Sequence, residues 1–225
     1  MKSVATLAFL GAVGCARAAD DSTIGFGPAF SMGPTASWIR SANTTLVLPK
    51  ATGTDRMALW PGMGTSGGDL IQALAVSFTD PDANCGAADG QWCVWASTLQ
   101  DGTQLGGTQV PADAGDEITM DYAFNDGTSK YDQTVYINGE QVSTLSTSSG
   151  QAQGWGTAVE CQAQGCKSSV EAHKYTDTTI TLNAADTTFA GTLVLTEATS
   201  SGLETSDNKV FTVATINIGA HTFNL

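Results

Sequence analysis

The feature that most constrains the fold of this chain is a recurring alternation of apolar and polar residues with a period of two. Short runs rich in Val, Ile, Thr, Tyr and Leu follow one another between clusters of Gly, Asp, Asn and Ser, and helical periodicity is nearly absent. We predict strands at residues 45–48, 57–60, 70–78, 92–99, 117–124, 134–137, 141–145, 158–162, 178–182 and 210–218. This pattern predicts an all-β fold, an antiparallel β-sandwich of two sheets.

The dipeptide Asn138-Gly139 gives the sharpest local prediction, because both residues tolerate the positive φ that a two-residue hairpin turn needs. We therefore expect a hairpin over residues 130–145. The segment 143–156, rich in Ser, Thr and Gly, is expected to be a loop that leads to Glu160. No repeat and no linker divides the chain, so residues 19–225 are expected to form a single domain.

The beginning of the chain predicts a signal peptide. Residues 1–10 combine a basic start with an apolar run, and Ala16-Arg17-Ala18 has the small-x-small pattern of a cleavage site. The apolar run is roughly a dozen residues, shorter than the ~20 that span a bilayer. We expect residues 1–18 to be removed and the rest to be secreted, into the secretory-pathway lumen or the exterior.

Cysteine usage predicts disulfide bonds. Cys15 lies in the leader, and the even set that remains is Cys85, Cys93, Cys161 and Cys166. Three pairings can be drawn, and pairing of sequence neighbours is preferred because it closes two short loops. The sequence has no C-x-x-C pair, and its two histidines are far apart, so neither a metal site nor a cofactor is expected.

The chain is strongly acidic, with 9 Lys and Arg against 22 Asp and Glu and a net charge of −13. Removal of Lys2 and Arg17 with the leader leaves 7 against 22, a charge of −15. Such a surface repels nucleic acid and anionic membranes, so neither is expected as a partner. Asn43-Thr44-Thr45 is the one N-glycosylation sequon and predicts a glycan on Asn43 in a eukaryotic secretory route. A monomer or a homodimer is expected.

Two polar residues on apolar strands mark a candidate site. Alternation places Gln72 on one face with Leu70 and Leu74, and it places Glu160 on a face with Ala158. An amide buried without partners costs roughly 1–3 kcal/mol, so Gln72 should be hydrogen-bonded or lie at an open edge. Aromatic residues that could bind a substrate beside this pair are Trp60, Trp92, Trp95, Tyr122 and Trp155. In the alternative interpretation, the two polar residues are ordinary strand-end residues and the tryptophans fill the core.

Five short motifs, in order along the chain, resemble the fungal glutamic peptidases, the eqolisins. They are Trp60-Pro61-Gly62, Leu70-Ile71-Gln72, Trp92-Cys93-Val94-Trp95, Gly115-Asp116-Glu117-Ile118 and Ala158-Val159-Glu160. The resemblance covers roughly residues 41–225. It implies a sandwich of the concanavalin A-like, jelly-roll kind, with the catalytic dyad on its concave face.

The resemblance also implies roles. Glu160 would be the general base and acid, and Gln72 would donate its amide hydrogen to the developing oxyanion. Trp60 and Trp92 would shape the substrate wall, and an acidic pH optimum would follow.

The chain departs from the family's pattern at several positions. Gln72 is followed by Ala73-Leu74 where the family has Thr-Gly, and Gly156 stands four residues before Glu160, where the family usually has an acidic side chain. The aromatic platform after Trp92 is thinned, and the β domain starts too close to the cleavage site for the family's propeptide. These departures favour a reaction other than proteolysis.

In size, leader, sequon and β character the chain is also similar to the secreted fungal hetero-Diels–Alderases of tropolone sesquiterpenoid biosynthesis. That similarity implies a small apolar substrate, dehydrated with the help of Glu160 and Gln72 and then cyclised mainly through proximity and orientation. Two alternatives remain. One is an acid glutamic endopeptidase with a peptide substrate and a Gln72/Glu160 dyad, and the other is a non-catalytic glycan-binding or cell-wall protein.

Overall fold

Antiparallel strands make up most of the computed structural model, which describes residues 24–51 and 55–225. The predicted signal peptide and Cys15 lie outside these residues. None of the helices within them is long and apolar enough to cross a membrane.

The strands that build the first sheet are β1 (Gly25–Phe26), β2 (Ala29–Met32), β4 (Met57–Thr65), β5 (Leu70–Ser77), β6 (Trp92–Gln100), β7 (Thr103–Gly106), β8 (Val110–Ala112), β12 (Ala152–Cys161) and β15 (Val194–Thr196). Its spine runs in the order β12-β4-β5-β6-β7. β1 and β2 both pair with β12, β15 pairs with β2, and β8 pairs with β6.

The second sheet contains β3 (Ile39–Val47), β9 (Glu117–Asn125), β10 (Lys130–Ile137), β11 (Glu140–Thr147), β14 (His173–Leu182), β16 (Ala198–Ser200) and β17 (Val210–Ile218). Its order is β11-β10-β9-β3-β14-β17-β16. The two sheets are joined where Ile39 of β3 pairs with Ala152 of β12. β13 (Ser169–Val170) and β18 (His221–Thr222) form a small separate ribbon, and a 3-10 helix covers Phe189–Thr192. The predicted antiparallel β-sandwich is confirmed.

The main core lies between the inner faces of the two sheets. Leu59, Ile71 and Val159 enter it from the first sheet, and Leu46 and Phe211 enter it from the second. A second, smaller set of buried residues lies on the opposite, outer face of the first sheet. We call this set the outer cluster; it comprises Ala58, Trp60, Leu70, Leu74, Val76, Ala87, Cys93, Trp95 and Ala158. A sheet that is buried on both faces reads as near-continuous apolar strands, as β4, β5 and β12 do.

The predicted hairpin is confirmed, with β10 and β11 joined at Asn138-Gly139. Asn138 has a φ of 50° and Gly139 a φ of 85°, the positive values that this turn requires. The predicted loop at 143–156 is confined to residues 148–151, because β11 continues to Thr147 and β12 begins at Ala152. Ser and Thr in this segment lie on an edge strand, and its glycines lie where neighbouring strands approach closely, so composition alone was misleading.

Both predicted disulfides, Cys85–Cys93 and Cys161–Cys166, are present. The first one ties helix α1 (Pro81–Cys85) to β6. The helix starts where the Asp80 carboxylate accepts a hydrogen bond from the Ala83 amide, and it ends at Gly86 in the left-handed conformation. α1 and the turn after it therefore cover one end of the outer cluster, to which Ala87 and Cys85 contribute.

Candidate active site

The outer face of the first sheet carries both Gln72 and Glu160, in different rows of paired residues. Gln72 lies in a row with Gly62 and Gly156. Glu160 lies in a row with Ala58, four residues further along β12. At about 3.3 Å per residue and about 4.8 Å per strand, the two Cα atoms are about 13 Å apart along the strands and about 10 Å apart across them. The structure therefore places the two residues on one face without bringing them together.

Glu160 is 7% exposed, and both of its carboxylate oxygens accept hydrogen bonds. The indole Nε1 of Trp60 donates to Oε2 at 2.9 Å, and the side-chain amide of Gln162 donates to Oε1 at 2.7 Å. The Cys161–Cys166 disulfide follows directly and fixes the end of β12. The carboxylate is thus held in one orientation at the edge of the outer cluster.

The guanidinium of Arg56 interacts electrostatically with this carboxylate. Burial lowers the pKa of the Arg56 guanidinium, and the charge of Glu160 acts in the opposite direction. The guanidinium lies over the ring of Phe78 at 5.2 Å, and Phe78 in turn stacks on Trp95 with ring centres 6.2 Å apart. A cation and two aromatic rings therefore line the end of the outer face where Glu160 lies.

Gln72 is 4% exposed and has a weak partner. Its Nε2 is 3.5 Å from Oε1 of Gln104, at the long limit of a hydrogen bond. Gln104 itself donates to the Ser97 hydroxyl, which donates to the carbonyl of Leu105 at 2.6 Å. Among these hydrogen-bonded side chains, the amide of Gln72 has the most capacity to form another hydrogen bond.

Between these two polar residues runs an apolar row. Trp60 pairs with Ala158, and Leu74 pairs with Trp95. The two tryptophans are 4% and 3% exposed. The candidate site therefore consists of an apolar strip with Gln72 on one side and Glu160 on the other.

Three of the aromatic residues singled out from the sequence do not reach this face. Trp92, Tyr122 and Trp155 point into the main core and are fully buried there. Trp92 donates to the carbonyl of Pro49 at 2.8 Å, and Trp155 packs edge-on against Phe30. Trp92 and Trp95 are three residues apart on β6 and so face opposite sides of the sheet, and Trp95 is the one on the outer face.

Tyr122 supports the site from behind the sheet. Pro61 has no N–H and leaves a gap in the ladder between β4 and β5. The Tyr122 hydroxyl occupies the gap: it accepts from the Ala73 amide at 2.8 Å and donates to the Pro61 carbonyl at 2.8 Å. Because Pro61 follows Trp60 and Ala73 follows Gln72, this hydroxyl holds both strands at the positions where their site residues project.

The glycines beside Gln72 are there because neighbouring backbone is close. A Cβ on Gly156 would lie 2.8 Å from the carbonyl oxygen of Phe30, and a Cβ on Gly62 would lie 2.9 Å from that of Ile71. No side chain of ordinary size enters this row from β4 or β12 without a backbone shift. The row next to Gln72 is therefore bare backbone.

Solved structures of peptidases are among those that share this architecture, and three of them are as follows. Two are of scytalido-glutamic peptidase with transition-state analogs, at TM-scores of 0.55 and 0.54 and 14% identity, each covering 86% of this chain and 99% of that one. The third is SCP-B, a member of the Eqolisin family of peptidases, in complex with the tripeptide Ala-Ile-His, at a TM-score of 0.54 and 14% identity, covering 90% and 100%. The fold is that of the eqolisins. A scan against protein families finds no match, and neither does a search of curated proteins.

Within the eqolisin fold, the position on β12 level with Gln72 is occupied by Gly156. This is also the position where the sequence resemblance expects an acidic side chain. Glu160, the carboxylate that the motif pointed to, lies two rows further along the strand. The two motif residues thus lie on one face of the first sheet, and the sheet register separates them.

The described residues contain one group with metal-ligand spacing, Asp55 with Cys161 and Cys166. Both sulfurs are in a disulfide, which removes the thiolates that a metal would need. Asn43 lies half-buried in the middle of β3, paired with Asp121 and Thr179 on the second sheet. Its glycosylation stays a prediction.

Sequence reasoning missed Gln162, Arg56 and Gln104. Gln162 could have been predicted from the sequence, because it follows Glu160 at the period-two spacing that places both side chains on one side of the strand. Arg56 directly precedes β4 and Gln104 lies on β7, so their positions near Glu160 and Gln72 follow only from the pairing of the strands.

Proposed function

We propose that this chain is an eqolisin-fold protein that acts on a small apolar molecule instead of a peptide, with Glu160 as its acid–base group and Gln72 as a hydrogen-bond donor. The observation that carries the proposal is the separation of these two residues by four positions of sheet register. A Gln/Glu dyad that activates one water against one carbonyl needs both groups within hydrogen-bond reach of the same reacting atoms.

The burial of the site supports a small ligand. Gln72, Glu160, Trp60 and Trp95 are each 7% exposed or less, whereas an endopeptidase needs an open groove for an extended chain. The strip of Trp60, Leu74 and Trp95 offers flat apolar contact of the kind that lines small-molecule sites.

The arrangement suggests a division of roles. A molecule lying along the apolar strip has Glu160 at one end, where a single carboxyl can give a proton to a leaving hydroxyl and take one from carbon. Gln72 lies at the other end, where its amide can donate to a carbonyl oxygen. Loss of water from a hydroxylated substrate followed by cycloaddition belongs to this class, because the second step needs proximity and orientation and no further proton.

A binding measurement tests the proposal. We expect 1-naphthol, a flat apolar probe, to bind the wild type in calorimetry and to bind Trp60→Leu at least about tenfold more weakly. Trp38→Leu is the matched control, since Trp38 packs against Phe124 away from the outer cluster. Equal affinity of the wild type and Trp60→Leu for 1-naphthol would show that the probe does not bind at this face and would contradict the proposal.

The second candidate is an acid glutamic endopeptidase. The specific observations that favour it are the eqolisin fold and the order of the five motifs. It requires Glu160 and Gln72 to meet through a rearrangement of β12 against β5.

A further inference from the structure

An exposed arginine at the Glu160 end of the outer face has no ion-pair partner. Arg56 directly precedes β4, and its carbonyl accepts a hydrogen bond from the backbone amide of Gln162 at 2.8 Å, which extends the ladder between β4 and β12 past Glu160. Within residues 24–51 and 55–225, neither an ion pair nor a side-chain hydrogen bond includes the Arg56 guanidinium. Its N–H groups are therefore available to another acceptor.

Aromatic contacts hold this guanidinium in place. It lies over the ring of Phe78 at 5.2 Å, and Phe78 stacks on Trp95 of the apolar strip with ring centres 6.2 Å apart. The ring covers one face of the planar group, while the N–H groups point outward in its plane. A guanidinium presents these groups as a fork that matches the two oxygens of a carboxylate.

Phe26 borders the same end of the face. It pairs with Glu160 across β1 and β12, so the two side chains project from one side of the sheet. Phe26 is 41% exposed, Phe78 is half-buried and Arg56 is exposed. The apolar strip is thus accessible at an end that carries a positive charge between aromatic rings.

Glu160 does not use the fork of Arg56. Its carboxylate oxygens accept hydrogen bonds from Trp60 and Gln162, and it acts on Arg56 only through its charge. The chain has 9 Lys and Arg against 22 Asp and Glu, so an arginine without a carboxylate partner stands out. Its position at the end of an apolar strip indicates that the missing carboxylate belongs to a ligand.

On the basis of the function proposed above, we infer that Arg56 binds a carboxylate group of the ligand, and that the molecule accepted by this face is a flat apolar acid. The rings of the ligand lie along the apolar strip, and its carboxylate lies against the guanidinium at the exposed end. Arg56 is then a binding residue that selects anionic over neutral ligands, while Gln72 contacts the opposite end of the molecule.

The test uses two probes with the same ring system, 1-naphthoate, which is anionic at about pH 6, and 1-naphthol, which is neutral there. In calorimetry, Arg56→Met should weaken 1-naphthoate binding about fivefold, the upper range for an exposed ion pair, and leave 1-naphthol binding within about twofold. Arg40→Met is the matched control. Arg40 also lies over aromatic rings, those of Trp38 and Phe124, but it pairs with Asp126 on the second sheet. Its loss changes the net charge equally and should leave both affinities unchanged.

The outcomes separate this inference from the function on which it rests. A 1-naphthoate affinity that Arg56→Met leaves unchanged, or that Arg40→Met lowers as much, would overturn the role of Arg56, while binding of 1-naphthol that depends on Trp60 would still support the proposed function. Failure of both probes to bind the wild type would contradict both. The Nε–H resonance of Arg56 in the wild type needs no variant: saturating 1-naphthoate should shift it, and an unmoved resonance would also overturn the inference.

Discussion

At the scale of single residues, the hydroxyl of Tyr122 replaces a missing ladder contact under the candidate active site. Burial raises the pKa of this phenol well above its usual value, so it stays protonated and can donate to Pro61 while it accepts from Ala73. A residue singled out from the sequence as a substrate contact is instead part of the support beneath the site.

Tyr122→Phe should lower the free energy of unfolding by about 1–3 kcal/mol, because it leaves the Ala73 amide and the Pro61 carbonyl without their partner. Urea denaturation measures the change. Tyr136→Phe removes the same hydroxyl from a half-buried position on β10 and should change stability by less than about 0.5 kcal/mol. Equal losses in the two variants would show that the Tyr122 hydroxyl has no structural role.

His173 should make stability depend on pH. Its pKa is lowered from 6.5 to about 4, so between these values the unfolded chain binds a proton that the folded chain does not. Stability therefore falls as the pH drops through this window, by about 2–3 kcal/mol between pH 7 and about pH 4.5. Below pH 4 the folded state takes up the proton too, and the loss levels off.

The measurement is the unfolding free energy of the wild type minus that of His173→Phe at the two pH values. The subtraction cancels the contributions that the two proteins share. A difference that stays constant with pH would contradict the buried, neutral state of His173.

At the scale of elements, β12 shows which features the sequence could predict. Alternation assigned Gln72 and Glu160 to faces of their strands, and Asn138-Gly139 located a hairpin, because both signals are local. The pairing of Gly156 with Gly62, and of Gly62 with Gln72, is set by the register of a whole sheet. The separation of Gln72 from Glu160 could therefore not be predicted from the sequence, because the sequence does not show which strands pair or in what register.

Close strand contact explains the glycine at position 156. Gly156→Ala should destabilise the fold by about 1–3 kcal/mol, since the new Cβ would lie 2.8 Å from the Phe30 carbonyl oxygen. Gly191→Ala is the matched control, with no heavy atom within 4 Å of its added Cβ. Thermal unfolding of the two variants compares them, and a Gly156→Ala protein as stable as Gly191→Ala would show that β2 and β12 separate easily.

At the scale of the whole molecule, the protein has an eqolisin fold. On the outer face of its first sheet, an apolar strip lies between Gln72 and Glu160. Both disulfides fasten the borders of that face, one through α1 and one after Glu160. The order of the five motifs predicted the fold, since short strand motifs report sheet packing. The same motifs could not predict the chemistry, which depends on the distance between two side chains.

The central claim is that this face does not form a peptidase dyad, and digestion of denatured casein at acidic pH tests it most directly. Purified wild type and Glu160→Gln are compared by the release of acid-soluble peptides. The geometry predicts no release by either protein. Efficient cleavage by the wild type that Glu160→Gln abolishes would contradict the account.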